Sequence, residues 1–189
     1  AMIRSGAKNF DRVTVLTSPL AYESLIQALD DKILGLMQGH FTVIKAPTGI
    51  GKTEVMRFLE YNMLQHKVPF AAWHLEETKL RSLLGLVSYE LGDNLTRRDL
   101  IAEKNADDAV MGAIERITKD ELFYQFYLGD GQGADALCDQ IRYFSQACGC
   151  KFVFFEPIQD VVSGSSEEGK EQMLADLSVR LSKLSAELN

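Results

Sequence analysis

Short apolar runs alternate with longer stretches of helical apolar spacing, and this alternation constrains the fold more than any other feature of the chain. Residues 41–45, Phe-Thr-Val-Ile-Lys between Gly39 and Pro47, predict a strand. Residues 53–66 follow as a helix, with Val55, Met56, Leu59 and Met63 at helical spacing. The run 68–75 predicts the next strand, beginning just after Pro69 because proline donates nothing to a ladder. Residues 77–91 then place Leu80, Leu83, Leu84, Val87 and Leu91 on one helical face. The polar stretch 92–108 accommodates one short helix, and 109–117 a further one. Residues 123–128 form an aromatic strand closed by Gly129, Asp130 and Gly131, and 134–147 are helical. Residues 151–155, Lys-Phe-Val-Phe-Phe, read as a strand buried on both faces. A last helix from 167 to the end aligns Met173, Leu174, Leu177, Leu181, Leu184 and Leu188 in one stripe. Ahead of all these, 13–16 is a short apolar run, and Ser18 with Pro19 supplies a cap and first-turn proline for a helix over 20–37.

Strands separated by helices imply parallel pairing through right-handed crossovers, hence a three-layer α/β fold with a mostly parallel central sheet. In such sheets ligands bind beyond the carboxyl ends of the strands. Chemistry is therefore expected just after Lys45, Leu75, Leu128 and Phe155.

Composition narrows the class. A chain of 189 residues is the size of one domain with its own core. Its 27 acidic against 20 basic residues give a net charge of -7, which disfavours a broad phosphate-binding surface and leaves any nucleic-acid contact local. No run approaches the roughly 20 apolar residues that cross a bilayer. Cys138, Cys148 and Cys150, an odd number, fit a reducing compartment, and a cytoplasmic protein is expected. None of His40, His66 and His74 stands at metal-ligand spacing from Cys148-Gly-Cys150, so buried or strand-edge thiols are the expectation there.

After the strand at 41–45 the chain reads Ala46-Pro47-Thr48-Gly49-Ile50-Gly51-Lys52-Thr53, the Walker A pattern with alanine in the leading position. Glycines permit the left-handed backbone that turns amide groups inward, and the helix start adds unpaired donors and a positive dipole end. Such a loop cradles a nucleotide from Ala46 to Glu54, with Lys52 on the β and γ phosphates and Thr53 on magnesium. The alternative, an ordinary glycine-rich turn, does not account for the strand and helix predicted on either side.

Glu76 and Glu77 follow directly on the second strand, where a carboxylate can orient and deprotonate an attacking water. Both residues also suit the start of the next helix, where negative charge complements the dipole. Glu156 ends the apolar run 152–155, the strand-then-acid arrangement of a Walker B magnesium site. Glutamate there is one methylene longer than the usual aspartate. Lys79, Arg81, Arg97 and Arg98 are isolated among acids and read as solvated helix faces rather than a nucleic-acid patch. Trp73, Phe123, Tyr124, Phe126 and Tyr127 could stack on bases, but their place in strands favours core packing.

With these residues placed, 29–189 resembles the RecA-type ATPase domain of hexameric replicative helicases: the DnaB family, the phage primase-helicases and mitochondrial Twinkle. The parts that carry the likeness, in order, are LDDKILGLMQGHFTVIKA, APTGIGKT, AAWHLEE, FYLGD, FVFFEPIQDVVS and the final amphipathic helix. The resemblance implies that Glu76 is the catalytic base, that Glu156 is the Walker B acid, and that Gln159 matches a family glutamine. It also implies ATP and magnesium as ligands, a homo-oligomeric ring, a hexamer when complete, and single-stranded DNA as partner, in a bacterial or phage-infected cell. Residues 1–28 would be a lead-in. In relatives the last helix precedes a sensor strand, a DNA-contacting loop and an arginine finger, so low turnover is expected of this chain alone. A recombinase-like or regulatory ATPase, and a non-catalytic nucleotide-binding module, are the other functions compatible with the same motifs.

Overall fold

The computed structural model describes residues 21–24, 26–33, 35–47, 49–95, 108–127, 133–162 and 167–188. In order, the elements are β1 (Ala21–Tyr22), α1 (Gln27–Ile33), β2 (Leu36–Met37), α2 (Lys52–Gln65), β3 (Phe70–His74), α3 (Lys79–Leu91), α4 (Asp108–Thr118), β4 (Phe123–Gln125), α5 (Ala134–Gln146), β5 (Phe152–Glu156), a 3-10 turn (Ile158–Val162) and α6 (Glu167–Glu187). The main sheet of the described residues has the order β4-β3-β5, and both pairings are parallel.

β3 is the axis of the molecule. All five of its residues are buried, and the two-residue period sends alternate side chains to opposite layers. Phe70 and Ala72 meet Leu59 and Met63 of α2, while Ala71 and Trp73 meet Leu137 and Phe144 of α5 and Leu177, Leu181 and Leu184 of α6. β5 repeats the division: Phe152 and Phe154 face the α2 layer, Val153 and Phe155 the α5–α6 layer. A further cluster packs α3 on α4 through Leu84, Leu86, Val87, Val110, Ala113 and Ile117. The three-layer arrangement is the one expected from the alternation of elements. Among the described residues no helix is long and apolar enough to cross a membrane. Cys138 and Cys150 are buried, Cys148 is half-buried, and all three are free thiols.

Several expectations need correction. Residues 41–45 form no strand: Phe41 packs on the core, but 42–45 are exposed and Val43 is 59% accessible. β-propensity alone does not make a strand without a ladder partner, and the described sheet pairs β5 with β3 only. The helix expected over 20–37 is a short antiparallel pair, β1 with β2, enclosing α1. Gly35 at φ 87 turns the chain between α1 and β2. At the start of α1 the Ser24 hydroxyl accepts from the Ile26 N–H at 3.2 Å, and the Asp30 carboxylate accepts from the Ser24 N–H at 2.9 Å. β4 ends at Gln125, so Tyr127 lies outside the ladder and is 57% exposed instead of packing in the core. Leu80 and Met173, assigned to buried stripes, are exposed, Leu80 in the first turn of its helix. The 3-10 turn carries no periodicity of its own. Its buried Val161 and Val162 join the α5–α6 cluster. The opening run 13–16, Arg97, Arg98, the short helix expected within 92–108, Leu128 to Gly131 and Thr48 lie outside the described residues.

Candidate active site

The loop that opens α2 has the backbone its glycines imply. Gly49 and Gly51 are left-handed, at φ 83 and 96, and a Cβ built on either meets nothing within 4 Å, so the requirement for glycine is conformational. Gly51 is the residue before α2, and no side chain caps that end. The first-turn amides of a 14-residue helix are thus left to an external acceptor. Lys52 folds back over the loop and donates from Nζ to the carbonyls of Ala46 at 3.1 Å and Pro47 at 3.3 Å. Pro47 and Ile50 are exposed around it, and Ile50 is 65% accessible.

Thr53, the second residue of α2, lies close enough to the Glu156 carboxylate at the end of β5 to help lower its pKa. Sheet register places Glu156 directly beside His74. The two side chains share the parity of Phe70, Ala72, Phe152 and Phe154 and so point into the α2 layer. There His74 bridges two acids, with Nδ1 2.9 Å from Glu156 Oε1 and Nε2 2.8 Å from Oε1 of Glu60, a fully buried residue of α2. The Leu75 N–H donates to the Glu156 carbonyl at 3.0 Å and ties the two strand ends together.

Burial by itself would lower the His74 pKa, but the carboxylates of Glu156 and Glu60 outweigh it and raise it to about 10. Burial pushes Glu156 up, yet the imidazolium and the Thr53 hydroxyl hold it below the ordinary carboxylate value. Glu60 is raised by desolvation, which the His74 bond offsets only in part.

A second charged group lies beside the first. Arg57 of α2, 2% exposed, pairs with Glu54 and with Glu77. Arg81 also reaches Glu77, at 3.3 Å. The two consecutive acids therefore differ in environment: Glu77 is drawn inward, while Glu76 is exposed and makes no bond to a described side chain. Neither is the cap of α3. Thr78 takes that place, its hydroxyl accepting from the Arg81 N–H at 3.2 Å.

α2 and the ends of β3 and β5 bring Lys52, Thr53 and Glu156 to one end of the sheet. Glu54 belongs to the same turn, though its side chain is turned to Arg57. Gln159 is exposed in the 3-10 turn. Sequence reading overlooked Arg57, Glu60 and His74. The available signal was the acid–base–acid spacing of Glu54, Arg57 and Glu60 on one face of a helix that also carries buried Leu59 and Met63. Lys79 and Arg81 are solvated, as expected, and Trp73 and Phe126 are core residues packed on each other with ring centroids 6.0 Å apart.

Over residues 22–189 the chain matches the family described as DnaB-like helicase C terminal domain. It is 25% identical over 183 residues to a probable plasmid replicative DNA helicase of Chlamydia psittaci, covering 90% of this chain and 36% of that protein, so it spans about a third of the relative's length. Its fold superposes on a solved ATPase domain with a TM-score of 0.71 at 17% identity, covering 93% of this chain and 64% of the other. A glycine loop opening a helix, an acid at the end of the neighbouring parallel strand and these matches lead to one assignment: the chain belongs to the DnaB-like helicase C-terminal domain family and has the RecA-like α/β fold of an ATPase domain.

Proposed function

We propose that the chain is the magnesium-ATP-binding motor domain of a replicative DNA helicase, in which hydrolysis drives translocation on single-stranded DNA. The observation that carries this reading is the uncapped start of α2 behind Gly49 and Gly51, with Thr53 near Glu156 at the adjoining strand end. In its bound state Lys52 exchanges the carbonyls of Ala46 and Pro47 for phosphate oxygens, and the amides from 49 to 53 complete the anion cradle. A hydroxyl and a carboxylate are hard oxygen donors of the kind magnesium takes. When bound, that ion neutralises charge on the β and γ phosphates. Glu76, exposed beyond β3 and unpaired with any described side chain, is the base that orients and deprotonates water. The assembly is a ring of copies of this chain, and DNA is gripped by a few loop residues rather than by the acidic exterior.

Two substitutions separate the roles. Lys52→Ala removes the positive charge that faces the phosphates and should abolish binding of a fluorescent ATP analogue. Glu76→Gln removes only the base and should leave binding intact while phosphate release disappears. Equal loss of binding in both variants would refute the assignment.

A further inference from the structure

The contact between His74 and Glu156 carries an inference that rests on the reading of Glu156 as the Walker B acid and goes beyond it. We propose that His74, backed by Glu60, is a positioning residue that holds one oxygen of the Glu156 carboxylate so that the other is presented to a divalent cation. Three observations support this. First, the β3–β5 register puts His74 and Glu156 side by side on the same face, so their contact is dictated by the sheet and not by a chance rotamer. Second, the imidazole is held at both nitrogens, 2.9 Å from Glu156 and 2.8 Å from Glu60, and a ring fixed at both ends cannot swing away. Third, Glu60 is fully buried on a helix face whose neighbours are the core residues Leu59 and Met63, where an apolar side chain would satisfy packing. A buried ionic chain is not the cheapest way to fill that space.

The chemistry also explains why a glutamate works here. Its extra methylene adds a rotatable bond relative to aspartate, and an unrestrained carboxylate on it would sample positions away from the cation. The His74 bond from β3 removes much of that freedom, and Glu60 of α2 holds the imidazole that makes it. Hydrogen-bonded partners of a metal ligand act in this way generally, and losing one typically weakens metal affinity or activity by about 10- to 100-fold.

The test uses the full chain and manganese as a spectroscopic substitute for magnesium, with ADP. Manganese affinity is read by electron paramagnetic resonance, and ADP affinity without metal by fluorescence in EDTA. His74→Gln should weaken manganese binding by about 10- to 100-fold and leave metal-free ADP affinity unchanged, a split that a merely structural role would not produce. Glu60→Gln, which keeps the volume of the buried side chain, should shift manganese affinity in the same direction by less, and it decides the matter if His74→Gln does not fold. In the Glu156→Gln background, His74→Gln should add little, because the ligand it positions is gone. Unchanged manganese affinity in Glu60→Gln and in folded His74→Gln, alongside a clear loss in Glu156→Gln, would overturn the proposal and leave Glu156 as a ligand. Absence of ADP-dependent manganese binding in the wild type would remove the magnesium-site reading, and the proposal with it.

Discussion

Gly85 offers the sharpest test of the buried charge network, because ordinary helix chemistry predicts the opposite outcome. It lies inside α3, where replacing glycine by alanine normally stabilises a helix by about 0.5–1 kcal/mol. Here a Cβ would stand 2.3 Å from Arg57 Nε, 2.5 Å from its Cδ and 3.0 Å from its Cζ. These atoms are the middle of a side chain that is 2% exposed and held at its far end by Glu54 and Glu77, so it has little room to yield. Overpacking of this kind costs about 1–3 kcal/mol. Displacing the guanidinium from Glu77 adds part of the roughly 3–5 kcal/mol lost when a buried pair is broken, only part because Glu77 remains 13% exposed. After the helix gain is subtracted, Gly85→Ala should lose about 2 kcal/mol, a fall in Tm of about 4–8 °C for a chain this size. Gly112 in α4 is the internal control: its nearest neighbour is Arg116 Nη1 at 3.5 Å, an ordinary contact, so Gly112→Ala should gain about 0.5–1 kcal/mol. Urea and thermal unfolding by circular dichroism measure both. If Gly85→Ala proves as stable as Gly112→Ala, Arg57 does not occupy the space over Gly85 and its pairing with Glu54 and Glu77 is wrong.

Other consequences are open to direct measurement. Ser88 joins α3 to the loop after it, its hydroxyl donating to the Leu84 carbonyl at 2.7 Å and accepting from the N–H of the buried Leu95 at 2.9 Å. Ser88→Ala leaves that amide without its acceptor and should cost about 1–3 kcal/mol in urea unfolding; a change within error would mean the amide finds another acceptor. Burial pushes the Cys150 thiol up to about 12. Between its ordinary value near 9 and that raised value the unfolded chain gives up this proton and the folded chain keeps it, so the contribution to stability is full below pH 9 and lost as pH rises toward 12. The same burial should protect Cys150 from iodoacetamide at pH 8 in the native chain and not in urea, as peptide mass spectrometry would show; equal rates in both states would contradict it. Lys52→Ala and Glu76→Gln complete the set through their contrast between nucleotide binding and phosphate release.

The fold and part of the candidate site were legible in the chain before any coordinates. Helical spacing located α2, α3, α4, α5 and α6, since a 3.6-residue apolar period is a local property. The apolar runs around 70–74 and 152–156 announced strands buried on both faces for the same reason. The Gly49–Gly51 backbone followed from which residues tolerate a left-handed turn. Other features depended on partners far along the chain. Residues 41–45 have a strand's composition, yet strands exist only as pairs, and no residue of that run reveals whether a neighbour's edge accepts it. Leu80 and Tyr127 are apolar or aromatic in local pattern, but exposure is decided by where the opposing layer ends.

The charged core shows the same division. Nothing near His74 in sequence marks it as a bridge, because Glu60 is 14 residues away and Glu156 is 82. Parity along β3 and β5 determines that these side chains leave the sheet on one face, and that much is written in the chain. Only the register of two parallel strands sets them opposite each other, and only the docking of α2 brings Glu60 to the second nitrogen. Local periodicity thus determined the elements and their buried faces. The tertiary structure alone decided which acid is drawn to Arg57, which is left exposed and which is clamped by His74, because electrostatic environment belongs to the packed assembly rather than to any segment.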